Sequence, residues 1–158
     1  MRIRLIAVGR LKEEYLRAGA ADFTARLRPY AQLELVEVAD SPDPLRPSPA
    51  ATAQLREAEA TAILQRIQTG EILVALDPRG QALTSDGLAE FLRPHDAVGA
   101  RLAFVIGGSW GLGQAVLARA QAAISLSPMT FPHGLARLIL LEQLYRAFKI
   151  LRRETYHK

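Results

Sequence analysis

Short apolar runs alternate with longer amphipathic stretches along the whole chain. The runs 3–8, 33–38, 72–77 and 102–106, with a weaker one at 123–126, have the length and composition of strands. Between them, apolar residues at helical spacing predict helices over about 12–27, 51–69, 84–92, 112–122 and 135–153. This alternation predicts an α/β fold, a largely parallel sheet with helices on both faces in α/β/α layers. Strands as uniformly apolar as "ILVAL" and "LAFVI" suit burial on both sides.

One segment breaks the rhythm. "SPDPLRPSP" holds four prolines between Pro42 and Pro49, and each removes an amide donor, so the segment is expected to be an extended surface loop ahead of the second helix. With 158 residues, residues 1–158 are expected to form a single domain. No apolar run approaches the roughly 18–20 residues of a membrane span. The N-terminal apolar hexamer is closed by Arg10 and Lys12, so it is read as a first strand and not as a secretion signal. The absence of cysteine excludes disulfides, thiolate metal sites and thiol nucleophiles, and points to a cytoplasmic location. The net charge of +4 is unevenly spread, with both chain ends basic, an asymmetry that fits a polyanion-binding surface or simply a solvated one.

Candidate chemistry gathers where strands end. "VIGGSWGLGQA" follows the fourth strand, but Gly107, Gly108, Gly111 and Gly113 do not have the dinucleotide spacing, and no lysine followed by serine or threonine completes a phosphate loop. Glycines at that place let a backbone come close to a ligand at the C-terminal edge of an open sheet, or make a tight turn. "SLSPMTFPHG" ends the fifth strand with Ser127, Thr130 and His133 beside Met129 and Phe131, and "VALDPRG" ends the third with Leu76, Asp77 and Arg79. Three such segments can line one cleft for a planar, weakly charged ligand such as adenosine. Of the three histidines, the residues that can titrate near neutrality, His95 reads as solvated in a polar loop, His133 directly follows the loop after the fifth strand, and His157 lies near the chain end, where a lone histidine is more often inert. The last helix carries Leu138, Leu141, Leu144, Tyr145, Phe148 and Leu151 as a core stripe, with enough further apolar surface to bury a second face on another subunit. Its opposite side carries Glu142, Arg146, Lys149 and Arg153, with Glu142 and Arg146 spaced for an ion pair.

"LIAVGRLK", "ALDPRG", "FVIGGSWGL", "SLSPMTFPHGLARLILLEQLYRAF" and the terminal "YHK" fall in one order across nearly the whole chain, and together they resemble the RlmH family of SPOUT methyltransferases. The resemblance implies an S-adenosyl-L-methionine-dependent enzyme that methylates N3 of a pseudouridine in large-subunit ribosomal RNA on the assembled ribosome. It implies a C-terminal trefoil knot and a homodimer, with no metal and no membrane. Leu76, Gly107, Gly108, Leu126, Ser127, Pro128, Met129, Thr130, Phe131 and Pro132 would surround the cofactor, the glycines making room for it. His133, Arg146, Tyr156 and His157 would serve catalysis: Arg146 on a substrate phosphate, Tyr156 on the target base, and His133 or His157 in proton removal. In a dimer the "YHK" tail of one chain would reach the pocket of the other. Two rivals stand beside this reading. A ribosome-associated factor without catalysis accounts for the basic ends, and a small α/β enzyme of another nucleotide accounts for the strand-end loops. A metal hydrolase has no HxxH or HExxH pattern to rest on.

Overall fold

The computed structural model describes residues 1–156. Ten elements alternate as expected: β1 (Arg2–Val8), α1 (Glu14–Leu27), β2 (Gln32–Val38), α2 (Pro49–Leu64), β3 (Ile72–Ala82), α3 (Ser85–Ala97), β4 (Arg101–Ile106), α4 (Gln114–Arg119), β5 (Ala122–Ser125) and α5 (His133–Leu151). The strands form one parallel sheet in the order β2-β1-β4-β3-β5.

The two-residue period of a strand decides what each face buries. Ile3, Leu5, Ala7, Leu102 and Phe104 point to the side covered by α1, α3 and α5, where they meet Leu27, Leu92, Leu140, Leu144 and Phe148. Ile6, Val8, Leu73, Ala75, Ala103 and Val105 point to the side covered by α2 and α4, against Ala60, Ile63, Leu112 and Val116. Each of these larger side chains contributes roughly 1.5–3 kcal/mol by leaving water. The proline-rich segment is an extended connection ending at Ser48, whose hydroxyl caps α2 by accepting from the Ala51 amide at 3.1 Å.

The structure departs from the sequence expectation in four places. β3 does not stop at Asp77. After an irregularity between Leu76 and Gln81 it pairs again with β5, and Gly80 lies so close to the Ala123–Ile124 backbone that a Cβ there would stand 2.6 Å from the Ala123 carbonyl carbon. α2 ends at Leu64 and not near 69: the Arg66 and Ile67 amides bond three residues back to Ile63 and Leu64, and the chain then turns at Gly70, φ +80°, with Glu71 accepting from the Gln68 amide at 2.7 Å. α3 runs through Pro94, whose missing N–H costs one bond near an end that Gly99 terminates at φ +62°. His95 is therefore in the last turn of a helix and not in a loop, with its ring edge-on to Phe91 at 5.3 Å between centroids. The basic chain ends are also less available than their sequence promised. Arg4 is buried between Glu71 and Glu34, Arg137 is buried, and Arg146, Lys149 and Arg152 pair with Glu142, Glu154 and Asp96.

Candidate functional site

Parallel strands send all their C-terminal ends to one edge, and three of the connections leaving that edge enclose a cavity of about 720 Å³. That is within the range of about 300–1,000 Å³ usual for small-molecule sites. Leu76, Gly107, Gly108, Leu126, Ser127, Met129, Thr130, Phe131 and Pro132 line it; Pro128 alone of the expected ligand residues does not. Arg56, Asp77, Arg79, Trp110 and His133 also face it.

The glycine turn is shaped by close approach within the protein. A Cβ on Gly107 would stand 2.6 Å from the carbonyl carbon and oxygen of Gly111, and one on Gly108 would stand 2.8 Å from Oε2 of Glu59. On its Cβ side each glycine thus makes room for the protein's own atoms, the Gly111 backbone and a buried carboxylate, while both glycines also line the cavity. What the cavity receives is the folded-back backbone itself, closed by a bridge between Gly108 and Gly111. α2 braces this turn from behind. Glu57 accepts from the amides of Gln114 and Ala115 at the start of α4, and Glu59 contacts Gly108. On the outer side the Trp110 indole donates to Asp43 in the proline-rich connection at 2.8 Å.

The opposite walls are fixed locally. The Ser127 hydroxyl accepts from the Met129 amide at 2.9 Å, and the Ser125 hydroxyl donates to the Ser127 carbonyl at 3.1 Å. Both bonds favour a turn over continued strand. Asp77, buried, accepts from the backbone and guanidinium of Arg79 at 2.8 and 2.9 Å, which holds its carboxyl below the usual aspartate value against the opposing effect of burial.

His133, the first residue of α5, sits against Gly9 at the end of β1. Its Nδ1 is 3.3 Å from Nη2 of Arg137, one helical turn on. Nη2 carries two protons and has three neighbouring acceptors: this nitrogen and the carbonyls of Val8 and Gly9, both at 2.6 Å. A guanidinium has no lone pair to offer, so Nδ1 must present its own, and the neutral ring carries its proton on Nε2. In this tautomer the free ring nitrogen, Nε2, is a donor and not an acceptor. Burial first, and Arg137 second, push its pKa below the ordinary histidine value. Between that lowered value and the ordinary one the unfolded chain binds a proton that the native ring refuses, so stability declines as pH falls through the window. A ¹⁵N NMR titration should show the Nε2–H form at neutral pH with a midpoint below that of a free histidine; an Nδ1–H form would contradict the geometry.

The remaining catalytic candidates lie elsewhere on the chain. Arg146 is thirteen residues along α5 from His133, roughly 20 Å at about 1.5 Å per residue. It bonds Glu142 through Nε and Nη2 at 3.0 and 2.7 Å. Tyr156 folds back onto the same place, its hydroxyl donating to Glu142 at 2.8 Å and its ring 3.9 Å from the Arg146 guanidinium. Burial, then the Glu142 bond, raise its pKa, so the phenol keeps its proton at neutral pH. One chain therefore separates the expected catalytic set, with His133 at the cavity and Arg146 with Tyr156 far down the helix. His157 lies outside the described residues. Sequence reasoning missed Arg137 and Glu59. The signal in each case was a charge set into an apolar stripe, as in "LARLILL" and in the Leu55, Glu59, Ile63 spacing.

Among the described residues no helix is long and apolar enough to cross a membrane, and no group of three or more potential metal ligands gathers. Residues 1–157 match the family model described as "Predicted SPOUT methyltransferase". The chain is 52% identical to the ribosomal RNA large subunit methyltransferase H of Symbiobacterium thermophilum and 46% identical to that of Carboxydothermus hydrogenoformans, with all of both chains covered in each case. Among solved structures it resembles "a probable methylase family protein from Haemophilus influenzae Rd KW20", with a TM-score of 0.52 at 16% identity over 99% of this chain and 70% of that one, a likeness of fold.

Proposed function

The chain belongs to the SPOUT methyltransferases, alongside relatives named ribosomal RNA large subunit methyltransferase H, and on that premise we propose that it is a ribosomal RNA methyltransferase. Its donor in this reading is S-adenosyl-L-methionine, and its acceptor is N3 of a pseudouridine in large-subunit RNA on the assembled ribosome. The observation that carries the proposal is the meeting of the β3, β4 and β5 ends around one cavity whose lining includes nine of the ten expected ligand residues.

The cavity suits the donor chemically. Leu76, Leu126, Met129 and Phe131 offer apolar walls for an adenine ring, the Gly107–Gly108 backbone offers amides and carbonyls at close range, and Ser127, Thr130 and the Nε2–H of His133 offer hydrogen bonds at the polar end. The bound donor supplies a methyl group activated by sulfonium. The protein's own task is to exclude water, hold the acceptor base in line and ease departure of its imide proton. His133, holding its neutral proton on Nε2, serves as a hydrogen-bond donor in this scheme, which assigns proton acceptance to His157.

Arg146 and Tyr156 are too far down α5 to act on a ligand in their own chain's cavity, so the site is completed by the tail of a second subunit in a homodimer. There Arg146, released from or shared with Glu142, meets a substrate phosphate, and Tyr156 meets the target base. The reading includes a trefoil knot formed as the chain after β5 passes the ends of β3 and β4; the support for it is family membership together with the Gly80 backbone packed on β5.

The test combines binding and turnover. Calorimetry with S-adenosyl-L-methionine should show a defined site. Intact ribosomes should accept a methyl group where separated subunits do so poorly, with mass mapping placing it on a pseudouridine. Deleting residues 156–158 should leave donor binding in place and lower methyl transfer more than 100-fold, an effect of about 3 kcal/mol on the barrier. A protein that binds ribosomes in a salt-sensitive way but never binds the donor would instead be a non-catalytic ribosome factor.

A further inference from the structure

Glu59 is 4% exposed on α2, surrounded by the apolar contacts of Ala60, Ile63 and Val8. A carboxylate in such a place is costly to keep charged, and burial does push its pKa above the usual glutamate value, with Asp40 and Asp43 adding to the effect. Two backbone amides oppose that shift. Ser41, in the connection between β2 and α2, donates to Oε1 at 3.1 Å, and Gly108, in the glycine turn, faces the same carboxylate. Oε2, buried against Gly108, has no hydrogen-bond partner among the described residues. A Cβ at position 108 would stand 2.8 Å from that oxygen, so a side chain there would require the carboxylate to move. The same two segments meet a second time where Trp110 donates to Asp43.

We propose that Glu59 is a positioning residue whose carboxylate joins two loops, accepting the Ser41 amide of the proline-rich connection and packing closely on Gly108 of the glycine turn, and thereby sets the shape of the glycine wall of the cavity. Glutamine keeps the volume but puts an NH₂ in place of one oxygen, so either the Ser41 amide loses its acceptor or the NH₂ is buried against Gly108. This assigns work to the proline-rich connection as well: it is the outer half of the clasp. The consequence for ligand affinity rests on the reading of the cavity as the donor site.

Glu59→Gln, studied without ligand by amide hydrogen exchange, should show the Ser41 and Gly108 amides exchanging at least about tenfold faster, the effect of losing one buried hydrogen bond. Its affinity for S-adenosylhomocysteine by calorimetry should fall about tenfold as the wall relaxes. The melting-temperature difference between wild type and variant should move in the variant's favour as pH rises. The native carboxyl holds a proton above the ordinary glutamate value, so the stability of its neutral form is complete at low pH and is lost as pH climbs through the raised value. Unchanged exchange at Gly108, or faster exchange with unchanged affinity in a protein that binds the ligand, overturns the proposal. Should Glu59→Gln not fold, Ser41→Pro removes one donor and leaves the carboxylate, and the same two readouts decide. Wild-type protein that binds no S-adenosylhomocysteine defeats the donor reading of the cavity, while the exchange measurement still judges the clasp.

Discussion

Gly107→Ala should weaken binding of S-adenosyl-L-methionine about 10- to 100-fold. The new methyl would stand 2.6 Å from both the carbonyl carbon and oxygen of Gly111 and 2.9 Å from the amide nitrogen of Leu112. All three are backbone atoms, so no side chain can swing aside, and relief requires moving the turn that walls the cavity. Overpacking of this kind costs about 1–3 kcal/mol, which in ligand affinity is the stated range if the bound state must restore the original turn. The control is Gly70→Ala. Gly70 also turns the chain, at φ +80°, but a Cβ there meets nothing within 4 Å, and it is at the opposite end of β3 from the cavity. That variant should lose about 1 kcal/mol of stability from its backbone conformation alone and bind donor normally. Equal affinity losses in the two would show that the Gly107 contact has no bearing on the cavity.

Arg137→Met should lower the melting temperature by roughly 5–15 °C. The arginine is 4% exposed, in the second turn of α5 facing the end of β1, and it is the donor for the carbonyls of Val8 and Gly9. Methionine fills much of the volume but leaves both carbonyls without that donor in a buried place, at about 1–3 kcal/mol each. Part of this is returned, because burying the guanidinium is itself unfavourable, as its lowered pKa reflects, and its Nε has no partner among the described residues. A net loss of about 2–4 kcal/mol corresponds to the stated fall for a domain of this length. Glu37, half exposed, can turn to water and adds little. The His133 ring should titrate closer to an ordinary histidine in the same variant, since a neighbouring positive charge has gone. A melting temperature within 2 °C of wild type would show that these carbonyls find other donors.

The layers of the fold were legible because they rest on periodicity alone. Strands buried on both faces are apolar throughout, as in 72–76 and 102–106, and no other element of this chain has that signature. Boundaries failed where tertiary contacts override local preference. Asp77, Pro78 and Arg79 read as the end of a strand, yet Gly80 lets the chain return to β5; Pro94 reads as a helix stop, yet a missing donor three residues from the end costs only one bond. The cavity was legible because glycine and proline mark strand ends, and parallel strands bring those ends together. The protein's own contacts at the glycines were not legible. Their hydrogens make room for Gly111 and Glu59, and nothing in one dimension says which distant atoms will arrive. For the same reason the buried pairings of Arg4 with Glu71 and of Arg137 with the end of β1 had counted toward a free basic surface.

The interior place of β1, flanked by β2 and β4, has a consequence for how the chain is made. One of its edges pairs with β2 thirty positions on, but the other pairs with β4, Arg2 opposite Arg101, across 99 residues. At about 5–20 residues per second of translation, that second edge waits roughly 5–20 s for its neighbour. Throughout this interval a strand ending in the apolar run Leu5–Val8 is open along one side on a nascent chain. The yield of folded protein in cells should therefore depend on elongation rate as well as on the strength of the finished sheet.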